Sequence, residues 1–288
     1  MPPLRISAIS FLNTAPLMWD FEHPSPTNHA KLEQFDFSYT VPSKCAQALL
    51  EGTADIGIIP SITLATIPGL AILPDVAIAS KNKVRSILLV LKKPIEQVRR
   101  VALDTSSRTS VALTKILLTK YFPAASGLER EYVAMDPNVE QMLGECDAGL
   151  LIGDPALRVD RSKYEALDLA EEWRRLTGKP FVFAFWAIRM AALGAGGSGY
   201  EIADVFCQSR DHGLEPGNVK TLAAEWSVKL GLSGDDVRSY LTENIHYYLD
   251  NENTEGLELF YQLAAELKLI PQAPSLRMLG GPAFQLYR

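Results

Sequence analysis

A chain of 288 residues, 47% hydrophobic and 22% charged, has material for more than one apolar core and is neither disordered nor fibrous in composition. Its net charge of −6 and pI near 5.4 provide no general basic footprint, so neither nucleic acid nor an anionic membrane surface is expected as the main partner. Three widely spaced cysteines, Cys45, Cys146 and Cys207, fit neither a disulfide framework nor a zinc site and the histidines are equally scattered, so no metal is expected and a reducing, intracellular setting is the simplest reading.

Met1-Pro2-Pro3 runs directly into a strand-like segment, Leu4 to Ile9, without the pattern of a leader peptide. No apolar run approaches the roughly 20 residues that span a bilayer. Ser10-Phe11-Leu12-Asn13-Thr14-Ala15-Pro16 breaks the strand before Leu17 and Trp19 resume an apolar stripe. Phe35, Phe37 and Tyr39 alternate with polar residues, as a half-buried strand does. Val41-Pro42-Ser43 stops it, with Ser43 placed to cap a helix carrying Ala46, Leu49 and Leu50. After Gly52, Asp55 to Pro60 reads as a short buried strand. This is a β-α-β unit, for which parallel pairing and a right-handed crossover are expected.

A second series opens with the strand Val101-Ala102-Leu103-Asp104 and the hydroxyl-rich turn Thr105-Ser106-Ser107-Arg108-Thr109-Ser110. A helix with Val111, Leu113, Ile116, Leu117 and Tyr121 follows, then Tyr132-Val133, a short helix around Met142 and the strand Gly149-Leu150-Leu151-Ile152. The stretch Leu50 to Ile59 echoes Leu143 to Leu151: each runs from a helix end through Asp-x-Gly into an aliphatic strand. Such junctions are common in α/β proteins, so the echo marks either an internal repeat or a shared solution, and both imply two similar α/β halves. Residues 86–91 and 181–188 read as strands connecting the halves. The glycine-rich stretch 194–199 loosens the chain before an all-helical tail, expected to pack on the first lobe, in which Ser233, Asp235 and Asp236 signal a helix start.

In open α/β sheets ligands sit beyond the carboxyl ends of the strands, where loops enter helix N-termini. Four such loops are rich in hydroxyl or amide groups: 10–14, Pro42-Ser43, Pro60-Ser61 and 105–110. Backbone N–H groups, helix dipoles and hydroxyls at these places bind carboxylates. Ser43 or Ser61 taken singly is explained by capping, whereas five hydroxyl residues in six positions around Arg108 exceed what one cap needs. Asp154, after Gly153, can hold a substrate hydroxyl or cap the next turn, and Phe183 and Trp186 suit a ring-shaped ligand or the core. There is no GxSxG elbow, P-loop or GxGxxG. Chemistry built on hydroxyls, amides and helix termini relies on positioning and electrostatic preorganisation.

These loops carry a resemblance. Ser10-Phe11-Leu12-Asn13-Thr14-Ala15-Pro16-Leu17, Val41-Pro42-Ser43, Ile59-Pro60-Ser61, Asp104 to Ser110 and Leu151-Ile152-Gly153-Asp154-Pro155-Ala156-Leu157 resemble, in order, the motifs of the chorismate dehydratase family of the futalosine route to menaquinone. Phe11 stands where a tyrosine is common in that family, so a ring hydroxyl there is not essential. The loop Ser-x-Cys-Pro-Asn-Asp-Thr of the related dihydroxynaphthoate synthases is missing. The resemblance implies a type II periplasmic-binding-protein fold: two α/β lobes with a two-strand hinge and a helical tail. Lobe one is expected to comprise 1–91 and 187–288, and lobe two 92–186. It also implies a lyase without cofactor that removes water from chorismate to give 3-[(1-carboxyvinyl)oxy]benzoate.

The expected contacts are Thr14, Ser43, Ser61, Ser86, Thr105, Ser106, Ser107, Arg108, Thr109 and Gly153, with Asn13 and Asp154 in the chemistry. None of the hydroxyl or amide residues is a general base without an activating partner. Either Asp154 removes the proton, or the substrate's own enolpyruvyl carboxylate does so while Asn13 holds that arm. The small-molecule substrate is the only partner implied. A homodimer is compatible with the sequence, which does not fix the oligomeric state. The reading from another class is a non-catalytic cytoplasmic solute-binding or sensor protein of the same fold.

Overall fold

Ten strands form among the residues that the computed structural model describes, 2–123, 129–193 and 199–280. They are β1 (Leu4–Ile9), β2 (Phe35–Thr40), β3 (Ile56–Pro60), β4 (Leu70–Ser80), β5 (Ile87–Leu91), β6 (Arg100–Leu103), β7 (Glu131–Ala134), β8 (Ala148–Ile152), β9 (Glu165–Asp168) and β10 (Phe181–Arg189). β3, β5 and β8 are unbroken apolar runs buried along their length, as strands covered on both faces must be. Two five-stranded sheets result, in the orders β2-β1-β3-β10-β4 and β7-β6-β8-β5-β9.

The sheets share one plan. Each has a parallel trio, β2-β1-β3 in the first and β7-β6-β8 in the second, followed by two antiparallel neighbours. The sequence echo falls on equivalent strands, β3 and β8, and the two similar halves are therefore real in topology. The connecting strands sit differently from expectation. β5 pairs with β8 and β9 in the second sheet, and β10 with β3 and β4 in the first. An expected boundary after residue 91 would detach β5 from the sheet that supplies its hydrogen bonds, and one at 187 would cut through β10. The crossings are instead the segment 81–86 and the stretch between β9 and β10. β4 and β9 were not anticipated.

Local chemistry fixes the helices that face the space between the sheets. Pro42 starts the helix Pro42–Glu51 with its pre-set φ, and Gly52 at φ 74° ends it. Ser107 caps Arg108–Lys120 by accepting from the Ser110 N–H. Asp168 caps Leu169–Thr177 and also accepts from the backbone N–H groups of Val84 and Arg85, at 3.1 and 2.6 Å. One carboxylate, only 2% exposed, thus ties the first crossing to the start of the second. The cost of Arg85 at φ 64° is offset by its short bond to Asp168.

The tail covers the first sheet. Helix Gly199–Gly213 lies against the 12–18 segment so closely that a Cβ at Gly213 would stand 2.1 Å from the Pro16 carbonyl oxygen. Helix Asn251–Glu266 packs on β10, where Phe260 meets Phe181 and Trp173 edge-on. Trp186 packs on Phe206, so it belongs to the core. Residues 194–198 of the glycine-rich stretch lie outside the described residues.

Candidate active site

The carboxyl ends of β1 and β3 face those of β6 and β8 across the gap between the sheets, which holds a cavity of ≈ 40 Å³. Its polar lining is Asn13, Ser107 and Ser110, and its apolar walls include Phe11, Pro42, Ile152 and Phe183, with the Gly153 backbone beside them. That volume accommodates only a few waters. The lobes meet here, and a ligand larger than a few waters requires them to part. Gly153 has φ +60°, and a Cβ there would lie 3.0 Å from the Phe11 ring, so this glycine lets the two lobes meet.

Beyond Phe11 lies a second, larger cavity of ≈ 460 Å³. Asp154 lines this one, with Thr14, Tyr39, Arg158 and Trp226, while Phe11 and Ile9 border both. Asp154 accepts from the Leu12 N–H at 3.2 Å, across the lobe boundary. Burial raises its pKa, against the opposing effects of that N–H and of Arg158. Asp104 is raised as well, again through burial and against its bonds from Ser106.

The other expected residues divide by geometry. The Thr14 hydroxyl donates to the Ile9 and Phe11 carbonyls and shapes the loop that carries Asn13. Ser43 offers its backbone N–H to the Ser106 carbonyl of the other lobe at 3.1 Å. Ser106 Oγ donates to Asp104 at 2.6 Å. Ser61 Oγ donates to Val182 O at 2.9 Å and meets Thr109 Oγ1 at 3.3 Å, and Thr109 also receives the Ile62 N–H. These hydroxyls clasp one lobe to the other in the closed form. Thr105 and Arg108 are exposed, and Arg108 borders a separate cavity of ≈ 240 Å³ with Lys115.

Ser86 is buried, with Oγ accepting from the Tyr240 hydroxyl at 2.8 Å and its carbonyl accepting from the Gly153 N–H. Ser110 belongs to the expected 105–110 turn, whereas Tyr240 was not among the expected contacts. Its partner is 154 positions away, and no local pattern announces such a pairing. Among the described residues, no group of three or more His, Cys, Asp or Glu could hold a metal ion, and no helix is long and apolar enough to cross a membrane.

Comparison with known proteins agrees with this architecture. The chain is 29% identical over 273 residues to a chorismate dehydratase of Thermus thermophilus, covering 88% of this chain and 94% of the relative. A crystal structure of a protein from Archaeoglobus fulgidus superposes with a TM-score of 0.71 at 17% identity, covering 93% and 98% of the two chains. The periplasmic aliphatic sulphonate binding protein of Escherichia coli does so with 0.65 at 16% identity, covering 96% and 91%. These structures establish a periplasmic-binding-protein-like fold. Residues 4–266 match the family described as menaquinone biosynthesis, and over that span the chain belongs to it.

Proposed function

We propose that the protein is a chorismate dehydratase, a hydro-lyase acting in the cytoplasm on chorismate to give 3-[(1-carboxyvinyl)oxy]benzoate. The relationship to the Thermus enzyme over nearly the whole of both chains carries this reading. The three unpaired cysteines suit a reducing compartment. Lobe one comprises 2–80 and 181–280 and lobe two 87–177, following sheet membership rather than the earlier boundaries.

The lining of the smaller cavity supports a mechanism of positioning. Ser107 and Ser110 at the N-terminus of the helix Arg108–Lys120 take a substrate carboxylate, where backbone N–H groups and the helix dipole favour an anion. Phe11 and Phe183 flank the ring. The polar groups that line the cavity include no general base, so the enolpyruvyl carboxylate of the substrate removes the ring proton. The C–H electron pair forms the aromatic π system, the neighbouring C–O bond breaks, and the departing hydroxyl collects that proton as water. Intramolecular positioning of this kind is worth on the order of 7 kcal/mol in favourable cases. Asp154, whose pKa is raised, is the alternative base.

Incubation of the purified protein with chorismate tests the assignment: the diene chromophore is lost and an equimolar 3-substituted benzoate appears. Chorismate bound and recovered unchanged would instead make the protein a solute-binding or sensor protein.

A further inference from the structure

We propose that the cavity bordered by Arg108 and Lys115 is a second binding site, for a small apolar carboxylate, and that its occupant holds the two lobes together. The cavity, of ≈ 240 Å³, lies at the lobe boundary. Ile62, Thr63 and Thr66 of lobe one form one wall, the helix Arg108–Lys120 of lobe two forms another, and Leu269 and Ile270 of the tail complete it. It shares no lining residue with the smaller cavity or with the one that Asp154 lines. Its volume equals that of on the order of eight waters, which is room for one ring with a short acidic arm.

The lining selects the occupant. No carboxylate borders the cavity, and neither Arg108 nor Lys115 forms an ion pair among the described residues. Lys115 lies over the Tyr132 ring, 5.0 Å from its centroid, a contact that leaves its charge without an anion. The two threonines have no proton to offer: Thr63 Oγ1 donates to the Pro60 carbonyl at 2.6 Å and Thr66 Oγ1 to the Thr63 carbonyl at 3.0 Å. An anionic group is therefore met by the two cations, and Ile62, Val111, Leu269 and Ile270 take an apolar body. An inorganic ion would leave that wall wet, and a neutral ring would leave both cations unmatched.

The position couples occupancy to closure. The Ile62 N–H donates to Thr109 Oγ1 at 3.2 Å in the clasp between the lobes, and Thr109 follows Arg108 directly in the chain. Parting the lobes draws Ile62 away from the helix Arg108–Lys120 and removes one wall of the cavity. A ligand that touches both walls binds the joined form better and shifts the population toward it. The inference holds whichever metabolite the smaller cavity takes.

Isoleucine methyl spectra of the full chain, titrated with 3-phenylpropionate, provide the test, because the two cavities have different reporters. Ile62 and Ile270 line this one, and Ile9, Ile78, Ile87 and Ile152 line the smaller one. The Ile62 and Ile270 signals, identified by their loss in Ile62→Val and Ile270→Val, should move along one saturating curve. The neutral 3-phenylpropanamide should bind about tenfold or more weakly. Lys115→Gln should weaken the acid about threefold or more, as the loss of a half-exposed charge does. Val111→Trp, whose ring fills the space, should abolish the shifts, with Lys115→Gln deciding if that variant fails to fold. Thr109→Val, which loosens the clasp, should also weaken the acid about threefold or more. Movement confined to the isoleucines of the smaller cavity, equal affinity for the amide, or unchanged affinity in folded Lys115→Gln overturns the site. Unchanged affinity in Thr109→Val overturns its coupling to closure.

Discussion

Asn13 lines the smaller cavity and Asp154 the larger, with Phe11 bordering both. That separation makes their variants diagnostic. Asn13→Asp keeps the size of the side chain but places a negative charge beside a dianionic substrate, so turnover should collapse while the melting temperature changes little. If Asn13→Asp retains near-normal kcat while Asp154→Asn abolishes it, Asp154 is the base and substrate assistance is wrong. A second residue-scale prediction concerns His212, whose Nδ1 lies 2.8 Å from Asp20. This hydrogen bond raises the pKa of His212 above 6.5. A raised histidine pKa contributes stability fully present below about 6.5 and lost as pH rises through the folded value. The urea midpoint should therefore fall between pH 6 and pH 8.5, and His212→Gln should flatten that part of the profile. An unchanged slope would assign it to other groups. With the imidazole half-exposed, the effect is small.

Two helix N-termini do more than start helices. Asp168 satisfies the N–H groups of Ala170 and Glu171 in its own helix and of Val84 and Arg85 in the crossing segment. Asp168→Ala leaves these donors without it and should cost about 2–4 kcal/mol of stability in chemical denaturation. A loss below about 0.5 kcal/mol would show that water replaces the carboxylate at little cost. At the helix Arg108–Lys120, Ser107 faces the cavity while Thr109 joins the lobes. The double variant Ser107→Ala, Thr109→Ala should raise KM or the ligand Kd about tenfold or more, at ~1–2 kcal/mol per lost hydrogen bond. Unchanged affinity would remove this terminus from the site.

The whole molecule must open, because the cavity of ≈ 40 Å³ is far smaller than the proposed substrate. The bonds between the lobes include Leu12 to Asp154, Ser43 to Ser106 and the Ser61–Thr109–Ile62 cluster, with the ion pairs Lys120–Glu266 and Arg174–Glu252, each at 2.7 Å. The short crossings at 81–86 and between β9 and β10 are where backbone rotation can separate the lobes. Solution scattering should show a more compact particle with bound product than without it, and Thr109→Val should shift the free protein toward the extended form. Profiles that superimpose in all three states would remove hinge gating.

The sequence alone determined the two similar α/β halves, their helix starts and the loops that reach the site. These follow from local rules: aliphatic runs for buried strands, a hydroxyl-rich turn before a helix and Gly52 at a helix end, although the helix expected to be capped by Ser43 starts at Pro42 with no side-chain cap. It also singled out Asn13, Ser107 and Gly153, which line the cavity, because hydroxyl, amide and glycine residues concentrate where strands turn into helices. Tertiary structure decided the rest. Whether β5 and β10 continue their own sheet or enter the other depends on pairings between residues far apart in the chain, and both candidate strands are equally apolar. Thr109 and Ser61 became a clasp rather than a cavity wall because closure brings two lobes within hydrogen-bond distance. Tyr240 reached Ser86 only because the tail folds back over the first crossing. A hydroxyl in a loop states its chemistry, but only the fold chooses its partner.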